Sequence, residues 1–132
     1  MEVVMLMDCE TELENEMCDI YSTLQNFCDI DIVWVEGRST RILRTKYIDI
    51  YFKTWAEARR DKSLLKRFDF IFGVDSTVIE AARKVVESSL EYKFCFDDPV
   101  QTIVAMETML RQETEKKYEM IINDILKRRR WL

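Results

Sequence analysis

Short apolar runs alternate along this chain with segments that have the periodicity of an amphipathic helix. The first run, Val3 to Met7, contains no polar residue, and further strand candidates follow at 32–35, 68–74 and 92–96. Continuous apolar runs of this length are typical of strands that are buried on both faces of a sheet. Helical periodicity is clearest directly after the first run, where one apolar stripe contains Leu13, Met17, Ile20, Leu24 and Phe27.

This alternation predicts an α/β fold with four or five mostly parallel strands, helices on both faces of the sheet and a long C-terminal helix. With 132 residues, the chain is long enough for one domain with its own core. We therefore expect a single domain over residues 1–132.

The centre of the chain fits two periodicities. Four large apolar residues fall at helical spacing, namely Ile48, Tyr51, Phe52 and Trp55. On this basis we expect a helix over about 39–60 that breaks near 61–63.

The alternative for the centre is a strand at 46–53, where Ile48, Ile50 and Phe52 alternate with other residues. Thr54 and Glu57 would then form a capping box, and a helix would begin directly after Thr54. The first six elements would in that case form a βαββαβ unit, which is an α+β arrangement.

Charge is distributed along the chain in blocks. Residues 1–37 carry ten acidic side chains and no basic one, whereas residues 38–67 carry ten basic and three acidic side chains. A basic, aromatic-containing segment in a protein of net charge -5 is typical of a surface that meets a negatively charged partner, either a protein or a nucleic acid. The residues that we expect to bind this partner are Arg38, Arg41, Arg44, Lys46, Arg59 and Arg60. The alternative is a solvated helix face whose charges pair with the acidic first helix.

The C-terminal helix is expected to run from Pro99 to about Arg130, a length of about 48 Å. A second apolar stripe near its end has little of a small domain left to pack against, and such a stripe usually marks an interface. We therefore expect residues 111–132 to project as an oligomerisation helix that forms a homo-oligomer. The residues expected in this interface are Tyr118, Ile121, Ile122, Ile125, Leu126 and Trp131. The alternative is a kink at 111–117 that folds the helix back.

Composition excludes several kinds of chemistry. The chain has no histidine, which removes Ser/His and Cys/His nucleophile pairs, and only two glycines, which argues against a glycine-rich phosphate loop. Its four cysteines include no CxxC pair, so we expect reduced thiols, no zinc site and a cytoplasmic protein. No apolar run approaches the ~20 residues of a membrane span.

Acidic residues follow several predicted strands. Asp8, Asp75, Asp97 and Asp98 would lie at the carboxyl edge of a parallel sheet, where ligands bind in folds of this kind. Converging carboxylates at that edge could hold Mg²⁺. The simpler interpretation is that Asp8, Asp75 and Asp98 cap the helices that begin there.

From these features we expect a non-catalytic, charge-polarised binding protein that self-associates and engages a protein or nucleic-acid partner, with no cofactor. An accessory protein or inhibitor of the kind that mobile genetic elements encode would have such a composition. The alternative is a Mg²⁺-dependent enzyme that processes nucleotides or nucleic acid, with the four aspartates above as its catalytic groups.

Overall fold

The computed structural model describes residues 1–27, 32–36, 41–86, 93–95 and 98–130. Within these residues the elements follow one another as β1 (Glu2–Met7), α1 (Glu10–Phe27), β2 (Val33–Glu36), β3 (Arg41–Arg44), β4 (Asp49–Thr54), α2 (Trp55–Arg60), α3 (Lys62–Leu65), β5 (Phe70–Gly73), α4 (Ser76–Val86), β6 (Lys93–Cys95) and α5 (Pro99–Arg130). Strands and helices alternate over most of this order, as the sequence predicts.

The described strands form one six-stranded sheet in the order β2-β3-β4-β1-β5-β6. The pairs β1–β4, β1–β5 and β5–β6 are parallel, whereas β2–β3 and β3–β4 are antiparallel. The predicted α/β class is confirmed. The sheet is mixed rather than mostly parallel, because a β2–β3–β4 meander forms one side of it, and it has more than the four or five strands expected.

The predicted helix over 39–60 is wrong for the described part of that segment. Residues 41–44 and 49–54 are strands, and the helix begins only at Trp55. The physical reason is that β4 lies between β1 and β3, where Ile50 and Phe52 are buried on one face of the sheet and Tyr51 on the other. A helix would bury only one stripe of these residues.

The strand alternative for the centre is the better description. Thr54 Oγ1 accepts a hydrogen bond from the backbone N–H of Glu57 at 3.3 Å and so caps α2. The helix ends at Arg60, next to the break expected near 61–63. The simple βαββαβ unit is not formed, because the additional strand β3 pairs with both β2 and β4.

Two hydrophobic clusters cover the two faces of the sheet. On one face α1 and α5 pack on Met5, Ile50 and Phe52, through residues that include Leu13, Ile20, Leu24, Ile103 and Met106. On the other face the helices α2, α3 and α4 pack on Val4, Leu6 and Ile71. Helices therefore cover both faces, as predicted.

The last helix, α5, begins at a capping residue and extends beyond the sheet. Asp98 Oδ1 accepts a hydrogen bond from the backbone N–H of Gln101 at 3.0 Å. The helix then continues without a break through 111–117, so it does not fold back, and every residue from 115 to 129 is exposed. None of the helices in the described ranges combines the length and the apolar character needed to cross a membrane.

Candidate functional site

The exposed half of α5 carries large apolar side chains on one side. Tyr118 is 63% exposed, Ile121 and Ile122 are each 54% exposed, and Ile125 is 50% exposed. These four residues follow one another at intervals of three, one and three, so they form a single stripe along a helix of 3.6 residues per turn. We call them the apolar stripe. Leu126, also 50% exposed, lies at its margin.

The stripe has no partner within the described chain. Apolar residues of the first half of α5 belong to the core, but the core and the residues packed on it end at Leu110 along this helix. The second half retains its helical structure beyond that point and exposes isoleucines that would normally be buried. An exposed apolar patch of this kind marks an interaction surface.

Glu107 fixes α5 to the sheet close to the point where the helix leaves it. This residue is only 2% exposed, and its Oε2 lies 2.8 Å from the hydroxyl Oγ1 of Thr45 in the turn between β3 and β4. Its other oxygen, Oε1, is buried and has no hydrogen-bond partner. Burial raises the pKa of Glu107, and the Thr45 hydrogen bond and the nearby charges of Arg111 and the N-terminal amino group lower it by smaller amounts.

Sequence reasoning did not single out Glu107. The only signal is its place in the helix, directly after Met106 and four residues after Ile103, on the side that packs against the core. An acidic residue at such a position can equally lie at the rim of the buried face, so the pattern alone does not reveal its burial.

The predicted basic residues of β3 point in different directions. Arg41 Nη1 lies 3.6 Å from Glu14 of α1, on the face that α1 and α5 cover. Arg44 is three residues further along the strand and therefore on the opposite face, where its Nε lies 3.7 Å from Asp49. Arg41 therefore follows the alternative prediction, in which basic side chains of this segment pair with the acidic first helix.

The remaining predicted basic residues are also separated. Lys46 lies in the β3–β4 turn, with its Nζ 5.5 Å from the centre of the Tyr47 ring. Arg59 and Arg60 are exposed at the end of α2. Arg38 lies outside the described residues. The described members of this set therefore do not form one continuous patch, and their role in binding a partner stays a prediction.

The outer side of α1 carries several acidic side chains. Glu10, Glu14 and Asp19 are exposed on it. Burial raises the pKa of Glu16, and the negative charges of Asp19 and then Glu12 raise it further. The latter two effects show that the carboxylates of this helix repel one another.

A crevice of about 330 Å³ lies where the carboxyl ends of β1 and β4 meet. The sequence predicts Asp8 at this edge of the sheet but does not predict that the other residues lining the crevice lie there. The chain leaves β1 for α1 on one face of the sheet and leaves β4 for α2 on the other, which makes this crevice a topological switch point. It is lined by Asp8, Cys9, Glu10, Thr54, Ala56, Glu57 and Arg60.

The aspartates predicted at the strand ends have separate roles where they are described. Asp75 Oδ1 accepts a hydrogen bond from the backbone N–H of Val78 at 2.9 Å, so Asp75 caps α4 as Asp98 caps α5. Asp8 is exposed at the crevice, and its backbone N–H, rather than its carboxylate, takes part in the start of α1 by donating to Glu12 at 3.2 Å.

The metal prediction is not decided by this arrangement. Asp97 lies outside the described residues. Among those that are described, no group of three or more cysteine or carboxylate side chains lies close enough together to hold a metal ion. The magnesium site stays a prediction. The same is true of the interface role of Trp131, which also lies outside the described residues.

Comparisons with known proteins give little further information. No protein-family model matches this chain, and no curated protein matches it. A solved structure, the large terminase from a thermophilic bacteriophage in complex with ADP, is similar with a TM-score of 0.45 and 12% sequence identity. The match covers 72% of this chain and 25% of the terminase chain. A likeness at this level carries no argument about function.

Proposed function

We propose that this chain is a non-catalytic binding protein, of the accessory or inhibitor type, that self-associates through the apolar stripe of α5. Its charged surfaces, above all the acidic outer side of α1, engage a protein or nucleic-acid partner. The observation that carries the proposal is the stripe itself, because four large apolar side chains remain at least half exposed on a helix that is continuous with the core.

The size of the stripe suits a weak dimer. Burying the exposed half of one isoleucine-sized side chain contributes about 1 kcal/mol, so the four residues from each of two copies contribute roughly 8 kcal/mol. Association costs about 4–15 kcal/mol in lost translational and rotational freedom. At the low end of this cost the net free energy of association is about -4 kcal/mol. We therefore expect a dissociation constant of about 1 mM, so that assembly depends on protein concentration.

The separation of charge supports a binding role for the rest of the surface. Acidic side chains are spread over the exposed part of α1, a helix of 18 residues, and among Glu10, Glu12, Glu14, Glu16 and Asp19 only Glu14 forms an ion pair with a basic side chain in the described structure. A surface with this excess of negative charge raises the rate at which a positively charged partner associates. The absence of histidine from the chain removes the commonest general base from any catalytic alternative.

Sedimentation equilibrium of the full chain at concentrations up to about 2 mM tests the proposal. The mass of the wild type is expected to rise well above that of a monomer as its concentration increases. Ile122→Asp places a charge in the centre of the stripe and is expected to keep the protein monomeric at every concentration. Because Ile122 is exposed, this change leaves the fold of the monomer intact.

Met120→Asp is the matched control. Met120 is 70% exposed and lies two residues before Ile122, which places it about 200° around the helix and away from the stripe. This variant is expected to dimerise as the wild type does. A wild type that stays monomeric throughout, or equal loss of dimer in both variants, contradicts the proposal.

A further inference from the structure

The apolar stripe has the same pattern in both directions along the helix. Tyr118 and Ile121 precede its centre and Ile122 and Ile125 follow it, at intervals of three, one and three. A second copy that lies antiparallel therefore presents the same arrangement of side chains to the first. This self-complementarity is what a two-fold symmetric contact requires.

Opposite charges flank the stripe, with Glu115 three residues before Tyr118 and Arg129 four residues after Ile125. Glu115 lies seven residues before Ile122 and Arg129 lies seven residues after it. Seven residues are close to two helical turns, so all three residues lie along the same side of α5. Both charged side chains are exposed, and neither forms an ion pair within the described chain.

We propose that the partner of the apolar stripe is the same stripe of a second copy, antiparallel and centred between Ile121 and Ile122. In this arrangement Glu115 of each copy lies within one residue, about 1.5 Å along the axis, of the place opposite Arg129 of the other. The inference rests on the proposed self-association and adds its orientation and its register.

The length of the free helix agrees with this register. Leu110, the last residue of α5 that packs against the core, lies twelve residues before Ile122. The place opposite Leu110 on an antiparallel second copy is therefore beyond Arg130. The paired helices span the exposed segments without requiring the two sheets to overlap.

The competing arrangements fit less well. In a parallel pair, Glu115 of one copy and Arg129 of the other stay 14 residues apart, about 21 Å along the axis, so they cannot interact. An antiparallel pair centred between residues 120 and 121 brings Lys117 opposite Asp124, but it places Ile122 against Glu119 and leaves apolar surface exposed.

A charge-exchange cycle tests the inference on the full chain. Glu115→Arg and Arg129→Glu each place like charges opposite one another at both ends of the dimer. Each single variant is expected to raise the dimer dissociation constant about fivefold at low salt. The double variant restores opposite charges and is expected to return to within about twofold of the wild type. Sedimentation equilibrium measures all four proteins.

The second cycle is the control. Lys117→Asp, Asp124→Lys and their double variant are expected to show no mutual rescue; rescue in this pair instead of Glu115 and Arg129 overturns the register. If the effects of Glu115→Arg and Arg129→Glu on the dissociation constant simply add in the double variant, the antiparallel contact is overturned, while the proposed self-association stands. A wild type that never dimerises overturns both.

Discussion

The buried carboxyl group of Glu107 leads to the sharpest prediction about stability. The hydroxyl of Thr45 has one hydrogen to donate, but two acceptors lie near it, Glu107 Oε2 at 2.8 Å and the carbonyl oxygen of Ile48 at 3.1 Å. An ionised Glu107 therefore competes with Ile48 for one hydrogen. Thr45 Oγ1 itself already accepts hydrogen bonds from the backbone N–H groups of Tyr47 and Ile48, and Glu107 Oε1 has no partner. The buried carboxylate is therefore poorly compensated, and the neutral form suits the site better.

The pH dependence follows from the raised pKa. Burial raises the pKa of Glu107 in the folded protein above its usual value of 4.5. Between pH 4.5 and the raised pKa, the folded state holds a proton that the unfolded state has lost. The free energy of unfolding therefore falls as the pH rises through this window, and it stays lower above the window.

Glu107→Gln removes the charge and keeps the shape of the side chain. The amide oxygen can accept the hydrogen bond of the Thr45 hydroxyl in place of Glu107 Oε2, and the variant carries no buried charge. Leaving a buried polar atom unpaired costs about 1–3 kcal/mol. We therefore expect the variant to be more stable than the wild type by about 1–2 kcal/mol near pH 8, and about equal to it near pH 4.

Urea unfolding, followed by circular dichroism at a series of pH values, measures this difference. Glu113→Gln is the control, because Glu113 is exposed on the same helix, and its effect is expected to be small at every pH. A Glu107→Gln effect that does not change with pH, or a wild type that is the more stable protein near pH 8, refutes the reasoning.

Two further substitutions test the packing of the other face of the sheet. Gly73→Ala is expected to destabilise the protein by about 1–3 kcal/mol in urea unfolding, because the added Cβ would lie 2.7 Å from Ile79 Cδ1. The added truncation Ile79→Val should recover part of this loss if the contact is its cause. Lys53 is 8% exposed, and burial lowers its pKa below 10.5. Lys53→Met is therefore expected to stabilise the protein by about 1 kcal/mol at neutral pH, and thermal unfolding should show this gain shrinking as the pH rises toward 10.5.

The starts of α4 and α5 could be predicted from the sequence because local chemistry determines them. Asp75 and Asp98 each cap the helix that begins next to them, through a hydrogen bond between neighbours three residues apart. A signal that depends on so few adjacent residues does not require knowledge of the rest of the fold.

The centre of the chain could not be predicted in the same way. Ile48, Tyr51 and Phe52 fit a helix as well as a strand, and the choice is made by β1, which pairs with β4 and places it inside the sheet. Strand β3 is harder still to predict from the sequence, because Ile42 and Leu43 are its only apolar residues. Its structure depends on antiparallel pairing with β4 rather than on its own composition.

The candidate sites differ in how far the sequence could predict them, for a related reason. The apolar stripe follows from periodicity along one helix, so its residues could be named before the fold was known. The basic segment was identified by counting charges, and a count does not say which face a side chain occupies. Arg41 and Arg44 are close in sequence, yet they pair with acidic residues on opposite faces of the sheet.

The buried and exposed halves of α5 are related by helix geometry. Ile125 lies 18 residues after Glu107, which is five turns at 3.6 residues per turn, so both side chains leave the helix in the same direction. Glu107 contacts Thr45 near the start of β4. The stripe therefore faces the space beyond that edge of the sheet, on the side where the sheet itself lies. In the proposed dimer the second helix would occupy this space, next to the β3–β4 turn. The contact that anchors Glu107 would thus also set the direction from which a second copy approaches.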